Sequence, residues 1–150
     1  MLHHTAKCCL LTWLNSTSVN EMITYTTHQI SVCIPAYNRL ELLSPLLDSI
    51  VTQDYHNFNI VICEDKSPQQ QTIRAIVQDY QQKYPGLIYY FENETNLGFD
   101  GNIRNLIEKA DGDYCLFMGN DDLMCPGALS TVASALSRYD NVGVVLRSYA

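Results

Sequence analysis

Two adjacent carboxylates, Asp121 and Asp122, stand just after the apolar run 113–118. Neighbouring carboxylates repel each other, and this repulsion is relieved where the pair is solvated or where a divalent cation neutralises it. Mg²⁺ and Mn²⁺ prefer oxygen ligands, and they commonly take one or two protein carboxylates together with phosphate oxygens and water. The pair is therefore a candidate cation site. The alternative is a solvated turn in which an aspartate caps the helix that begins near Pro126.

A second group of candidate residues follows two earlier apolar runs. The segment 35–39 (PAYNR) offers the aromatic face of Tyr37, on which a nucleobase can stack. Asp65, after the run 58–63, can accept a hydrogen bond from a base N–H. The alternative for both segments is a polar turn that only ends a strand.

Charge and motifs exclude several function classes. The chain has 16 acidic and 9 basic residues and a net charge of -7. Proteins that bind nucleic acid through a basic surface normally have an excess of basic residues instead. Eight of the acids lie between Glu92 and Asp122, opposed only by Arg104 and Lys109. The sequence contains neither a G-x-G-x-x-G fingerprint nor a Walker A motif. We therefore predict no nucleic-acid partner and no dinucleotide or P-loop site.

The cysteines indicate a reducing compartment. None of the six forms a C-x-x-C pair, and Cys33, Cys63 and Cys115 lie inside apolar runs. Buried free thiols are the favoured interpretation over disulfides or zinc ligands, which predicts a cytoplasmic location. The longest apolar runs are far shorter than the ~20 residues that span a bilayer, so we expect no membrane-spanning helix.

The elements that must position these residues alternate along the chain. Short β-branched and aromatic runs predict strands at 30–34, 58–63, 87–91, 113–118 and 141–146. Apolar stripes at helical spacing predict helices at 40–53, 70–83, 102–110 and 126–138. Pro45 implies either that the first helix starts near Ser44 or that it is kinked. This alternation is typical of an α/β fold with a mostly parallel sheet, whose ligands bind at the carboxyl ends of the strands.

The chain divides into two parts of unequal character. Residues 1–29 show no hydrophobic period and predict a poorly ordered N-terminal extension, with Met1 or Met22 as the true start. Residues 30–150 carry the alternating pattern and predict a single domain.

Four segments, in order, resemble a known family: ISVCIPAYNR, IVICEDKSP, ENETNLGFDGNIRNLIEKADGDYCLFMGNDD and PGAL. Together they are similar to the nucleotide-binding half of inverting, family 2-type glycosyltransferases with the GT-A fold. They look most like the branch that includes abequosyltransferase-like enzymes of surface-polysaccharide synthesis. The resemblance covers residues 29–150 and implies a GT-A, Rossmann-like sheet flanked by helices and incomplete at its C-terminus.

The resemblance implies roles for individual residues. Asp65 would read the edge of the base, Asp122 would be the main ligand of Mg²⁺ or Mn²⁺, and Asp121 would lie near the ribose or share the metal. The family's D-x-D usually begins with Asp where this chain has Gly119, so the metal site rests on the two aspartates. The residues expected to bind the nucleotide sugar are Pro35, Tyr37, Asn38, Asp65, Arg104 and Asp121.

The resemblance also implies an activity and partners. A nucleoside diphosphate would leave with metal assistance, and an acceptor hydroxyl of a saccharide or lipid-linked molecule would displace it with inversion. The family places its catalytic base after residue 150, so no base is predicted here. The alternative is a non-catalytic nucleotide-sugar-binding fragment or pseudoenzyme.

Peripheral association with the cytoplasmic membrane stays open, and an exposed edge at 142–146 predicts self-association.

Overall fold

The computed structural model describes residues 28–139 and 141–145. Strands and helices alternate throughout this part, as the apolar patterns predict. The elements are β1 (Ile30–Ala36), α1 (Leu40–Val51), β2 (Phe58–Glu64), α2 (Gln70–Lys83), β3 (Ile88–Glu92), α3 (Gly98–Lys109), β4 (Tyr114–Phe117) and α4 (Ala128–Arg138).

The four described strands form one parallel sheet in the order β3-β2-β1-β4. The chain moves outward from β1 through β2 to β3 and then returns to the other side of β1 with β4. The strand order therefore reverses between β1 and β4, and in open α/β sheets this switch point is where ligands bind. The predicted α/β class with a mostly parallel sheet is confirmed.

Helices cover both faces of the sheet because β1 and β2 are apolar on both sides. Ile30, Val32 and Ile34 alternate onto one face, where they form a single buried cluster with the apolar stripes of α1, α2 and α4. Cys33 turns to the other face and packs with Leu106 of α3. Two buried layers hold the central strands rigid, so the loops at their ends have a fixed base.

Pro35 lies inside the central strand β1, a place where a missing N–H is normally costly. Backbone groups of alternate residues point to the same side of a strand. Cys33 accepts a hydrogen bond from Met118 of the β4 side, so Pro35 faces that side as well. The β1–β4 ladder ends at Cys33 and Phe117. The missing N–H of Pro35 would therefore point to a place where β4 no longer pairs with β1, so no hydrogen bond of the ladder is lost.

Several predicted boundaries differ from the structure. Helix α1 begins at Leu40 with Pro45 inside it, so the predicted alternative of a start near Ser44 is wrong. Helix α3 begins at Gly98, four residues before the predicted 102. The glycines Gly98 and Gly101 lower helix propensity, whereas Asp100 in the first turn favours the helix by complementing its dipole.

The predicted fifth strand at 141–146 is wrong over its described residues. Residues 141–145 pair with no described strand. The side chains of Val144 and Val145 are 75% and 43% exposed. A β-branched run becomes a strand only when a neighbour supplies the ladder. Leu146 and the predicted extension up to residue 27 lie outside the described residues.

Cys33, Cys63 and Cys115 are free thiols, as the sequence predicts. Cys33 and Cys63 are buried, and burial raises the pKa of the Cys63 thiol to about 11. A thiol that stays protonated is a poor nucleophile. Within residues 28–139 and 141–145, no helix has the length and apolar character needed to cross a bilayer.

Gln53, next to the end of α1, holds the segment that follows β4. Its side chain is buried, and its Nε2 donates to the carbonyl of Cys125 at 2.9 Å and to that of Ser49 at 3.0 Å. Its Oε1 accepts the N–H of Leu129 in the first turn of α4 at 3.2 Å. One amide thereby connects α1 to both the loop and the helix after the acidic pair.

We expect Gln53→Ala to lower the free energy of unfolding by about 1–3 kcal/mol, because it removes the hydrogen bond to the carbonyl of Cys125 and leaves the N–H of Leu129 without its side-chain acceptor. Urea denaturation followed by circular dichroism measures this. Gln78→Ala, on the exposed side of α2, is the control and should change stability by less than ~0.5 kcal/mol. Equal stability of the two variants would contradict this role of Gln53.

Candidate functional site

A cleft of about 520 Å³ opens at the carboxyl ends of the strands, at the switch point between β1 and β4. Loops after β1, β2, β3 and β4 contribute to its walls. Four of the residues predicted to bind the nucleotide sugar line it together: Pro35, Tyr37, Asp65 and Asp121. The tyrosine is 44% exposed, so its ring is available to a ligand.

Asp65, just after β2, is a buried carboxylate held by two donors. Its Oδ1 accepts the side-chain amide of Asn93 at 2.8 Å and the backbone N–H of Leu97 at 2.8 Å. The aspartate is only 3% exposed, so these charge-assisted bonds are needed to keep it in place. Within the described part of the chain, both of these donors bind the same oxygen, Oδ1.

Three asparagines extend this arrangement into a network. Asn93 donates to Oδ1 of Asn102 at 3.1 Å, and Asn102 donates to the carbonyl of Cys63 at 3.0 Å. Asn105 donates to Oδ1 of Asn93. Asn93 and Asn102 each donate and accept, and Asn105 adds a further donor, so these bonds connect α3 and the loop after β3 to the end of β2, where Asp65 lies.

Glu64 shapes the loop that carries Asp65. Its side chain is fully buried at the end of β2, and its Oε1 accepts the N–H of Ser67 at 2.9 Å. Between them, Lys66 has a φ of 55°, in the left-handed region that non-glycine residues seldom occupy. The glutamate thereby stabilises the turn that presents Asp65.

The loop after β1 is held by the loop after β4. Asn38 and Arg39 both have a φ of 57°, and such backbone persists only where the surroundings hold it. The Asn120 amide donates to the carbonyl of Asn38 at 3.2 Å. The guanidinium of Arg39 forms an ion pair with Asp121. Two side-chain contacts therefore connect the walls of the cleft.

The acidic pair converges where Gly119 leaves room. A Cβ placed on Gly119 would lie 2.8 Å from Oδ2 of Asp122 and 3.0 Å from Oδ1 of Asp121. The two carboxylates thus fill the space that a side chain would take. Oδ2 of Asp122 also accepts the Gly119 N–H at 3.1 Å.

The structure also tests the alternative in which an aspartate caps the next helix. The N-cap of α4 is Gly127, and it has no side-chain cap bond. The interpretation of an aspartate as the cap of this helix is therefore wrong. Among residues 28–139 and 141–145, no group of three or more His, Cys, Asp or Glu side chains could hold a metal by itself. Two converging carboxylates fit Mg²⁺ or Mn²⁺ that takes its other ligands from substrate phosphates and water.

Three of the predicted site residues do not line the cleft. Arg104 points from α3 into solvent, with 75% of its side chain exposed, and pairs with Asp100 at 3.0 Å. Asn38 contributes its carbonyl to the loop contact with Asn120. Asp122 lies beside the cleft, next to Asp121 and Gly119. Their ligand roles stay predictions.

Besides Gly98, six residues outside the predicted set complete the walls: Arg39, Asn96, Phe99, Asn102, Gly119 and Asn120. Phe99 is 78% exposed, so it offers a second aromatic face at the mouth. All six lie in or beside the four loops that follow the strands, which is the signal that could have found them. Their convergence depends on contacts between loops about 80 residues apart in the chain.

Arg74 and Glu92 brace the end of β3, beside Asn93. Nε of Arg74 in α2 donates to Oε1 of Glu92 at 2.7 Å, and a second bond joins the other guanidinium nitrogen to Oε2. The hydroxyl of Tyr90 also donates to this carboxylate, at 2.9 Å. The hydrogen bond from Arg74 is the main cause that lowers the pKa of Glu92 from its ordinary value of 4.5.

Sequence comparison places these features among known proteins. Residues 31–150 match the profile described as Glycosyl transferase family 2. The chain is similar to abequosyltransferase RfbV of Salmonella typhimurium, with 36% identity over 107 residues, 71% of this chain and 32% of the relative. It is also similar to the amylovoran biosynthesis glycosyltransferase AmsB of Erwinia amylovora, with 35% identity over 114 residues, 75% and 37% of the two chains. The chain spans about a third of the length of these curated relatives.

Solved structures show the same sheet and helices. S. aureus TarS 1–349 in complex with UDP superposes with a TM-score of 0.65 at 27% identity, over 79% of this chain and 38% of that one. Mannosyltransferase PcManGT from Pyrobaculum calidifontis, in complex with GDP-Man and Mn²⁺, has a TM-score of 0.65 at 23% identity, over 77% and 33% of the two chains. At that identity the second likeness concerns the fold alone.

The lowered pKa of Glu92 predicts a pH-dependent contribution to stability. A carboxyl group with a lowered folded-state pKa stabilises the fold above its ordinary value of 4.5 and loses that contribution as the pH falls through the folded-state pKa. We expect Arg74→Gln to destabilise the chain at pH 7, because it removes the charged donor that holds the Glu92 carboxylate. The difference from the unchanged chain should shrink below pH 4.5.

Urea denaturation at a series of pH values measures this difference. The control is Lys83→Gln, which removes one positive charge from the exposed pair with Asp79 on α2 and should destabilise the chain less than Arg74→Gln does, because exposed ion pairs on one helix are weak. If Arg74→Gln lowers the free energy of unfolding by the same amount at pH 7 and at pH 3, the ion pair with Glu92 does not stabilise the end of β3.

Proposed function

The chain belongs to glycosyl transferase family 2, and on that premise we propose that it binds a nucleoside diphosphate sugar and serves the transfer of that sugar to a saccharide or lipid-linked acceptor. The observation that carries the proposal is a single cleft at the strand-order switch. It brings together a buried carboxylate, an exposed aromatic ring and a converging pair of aspartates. Residues 30–150 form the nucleotide-sugar-binding part in this proposal.

The base half of the donor would bind at the ends of β1 and β2. Asp65 keeps Oδ2 for the ligand because Asn93 and Leu97 hold Oδ1, so it can accept a hydrogen bond from a base N–H. Tyr37 offers its ring for stacking. Pro35 and Asn38 would complete the pocket, the first by lining it and the second by holding the shape of the loop.

The diphosphate would lie toward the acidic pair. Asp121 and Asp122 would hold Mg²⁺ or Mn²⁺, with Asp122 as the main ligand, because their carboxylates converge in the space left by Gly119. A bound cation would stabilise charge that builds up on the leaving diphosphate. The solved complex of TarS with UDP supports the choice of a nucleoside diphosphate. Arg104 would reach the phosphates only after leaving Asp100.

The process served is surface-polysaccharide synthesis. RfbV and AmsB, named for abequosyl transfer and amylovoran biosynthesis, support this choice. A further relative from Campylobacter jejuni, 31% identical over 104 residues, is named for glucosyl transfer to an undecaprenol-linked saccharide. That name supports a lipid-linked acceptor, and with it peripheral association with the membrane from the cytoplasmic side.

We expect the chain to bind at least one of UDP, GDP, CDP and dTDP in a manner that requires Mn²⁺. Titration calorimetry with each nucleotide, with and without Mn²⁺, measures this. Asp122→Ala should abolish the Mn²⁺-dependent part, because one remaining carboxylate is a weak site for a cation. Asp65→Ala should weaken binding about 10-fold or more through loss of a charge-assisted hydrogen bond.

The control is Asp79→Asn, in the exposed ion pair on α2, which should leave nucleotide affinity unchanged. Absence of binding under every condition would contradict the proposal. Metal-dependent binding with no sugar released from the matching nucleotide sugar, in the presence of saccharide or lipid-linked acceptors, would instead identify a non-catalytic nucleotide-sugar-binding protein.

Self-association through an exposed edge is a separate part of the proposal. Its support is β4, which forms one edge of the described sheet and carries Phe117 with 45% of its surface exposed. Val144 adds an exposed apolar side chain. We expect light scattering to show dimers or larger species at high protein concentration. A monodisperse monomer would contradict this, without bearing on nucleotide binding.

A further inference from the structure

Arg39 is a cation inside the cleft that the proposed function leaves without a role. It is the last residue of the loop between β1 and α1 and lines the cleft together with Asp121. Its guanidinium is paired with Oδ2 of Asp121, across 82 residues of the chain. The side chains of the pair are 54% and 43% exposed. Exposed ion pairs of this kind are weak and exchange readily.

The position of this pair creates a competition. Asp121 and Asp122 converge beside Gly119, and Arg39 neutralises one of the two carboxylates. A divalent cation between the aspartates would take Oδ1 of Asp121 and Oδ2 of Asp122, the two oxygens that converge beside Gly119, whereas the guanidinium holds Oδ2 of Asp121. The cation and the guanidinium would then share one carboxylate as two neighbouring positive charges, so each weakens the binding of the other to Asp121.

We infer that Arg39 exchanges partners when the cation and the nucleotide bind: it pairs with Asp121 in the empty cleft and turns to the diphosphate once the cation holds Asp121. This inference rests on the proposed function. A guanidinium released from a carboxylate is suited to phosphate, because its planar fork can bind two oxygens at once. Arg39 thus opposes the cation at Asp121 in the empty cleft and is a binding residue for the nucleotide.

The local backbone allows this exchange to involve the side chain alone. The Asn120 amide holds the carbonyl of Asn38 at 3.2 Å, and the carbonyl of Arg39 accepts the N–H of Leu42 at 3.1 Å in the first turn of α1. Both contacts use backbone atoms of the loop. They persist when the guanidinium leaves Asp121, so the loop keeps its shape while the charge moves.

The exchange predicts effects of opposite sign on two ligands. In Arg39→Gln the cation no longer competes with a guanidinium, so Mn²⁺ without nucleotide should bind about 2- to 5-fold more tightly. The nucleoside diphosphate loses a charged donor in the same variant. Its affinity at saturating Mn²⁺ should fall about 10-fold or more. A residue that only stabilised the loop would weaken both ligands together.

The experiment measures the two affinities separately in the full chain. The free Mn²⁺ signal in electron paramagnetic resonance gives the affinity for the metal without nucleotide. Calorimetry at saturating Mn²⁺ gives the affinity for the nucleoside diphosphate, chosen as one that the unchanged chain binds. Arg39→Lys keeps the charge but not the fork, so Mn²⁺ should bind as before and the nucleotide more weakly. Arg138→Gln, in the last turn of α4, is the matched control and should change neither affinity.

Each outcome bears on one of the two proposals. An unchanged chain that binds neither Mn²⁺ nor any nucleoside diphosphate overturns the proposed function. An unchanged chain that binds both, with Mn²⁺ affinity unaltered or lowered in Arg39→Gln, overturns the exchange alone. If circular dichroism shows that Arg39→Gln does not fold, Arg39→Lys decides, because nucleotide affinity equal to that of the unchanged chain would overturn the role at the diphosphate.

Discussion

The separation of β4 from β1 is the constraint on which the site depends. The β1–β4 ladder ends at Cys33 and Phe117, whereas the β1–β2 ladder continues to Ala36 and Glu64. The chain after Phe117 is therefore free to turn away, and the gap beside the last residues of β1 becomes the cleft. A proline is tolerated at position 35 for the same reason. Proline has no backbone N–H, and no strand remains there that would need one.

Charge determines how an acidic chain can receive an acidic ligand. The net charge of -7 and the acids near the cleft oppose a diphosphate, so recognition needs cations inside the site. Converging aspartates can hold one from solution, and Arg39 supplies one from the chain itself. The protein thus combines an acidic surface with a proposed anion-binding cleft, and only a few groups have to change partners.

Burial determines how the end of the cleft at Asp65, where we propose that the base binds, can select its ligand. An aspartate that is 3% exposed would be unfavourable without partners, and the amide network around Asn93 supplies them. The same bonds fix which oxygen stays available. In the proposed binding mode, the rigid surroundings of Asp65 would orient the ligand, and the exposed Arg39–Asp121 ion pair would respond to it.

The sequence by itself determined the alternation of strands and helices, the parallel class and the four loops that carry polar residues, because periodic burial and turn residues act over a few neighbours. It also identified Asp65, Tyr37 and Asp121 as candidates. It misplaced the start of α3, and it predicted a strand at 141–146 that has no partner among the described residues. The Arg39–Asp121 pair, the amide network and the convergence at Gly119 were decided only by the tertiary structure. These contacts depend on the strand order, which brings loops distant in the chain together and which no local pattern encodes.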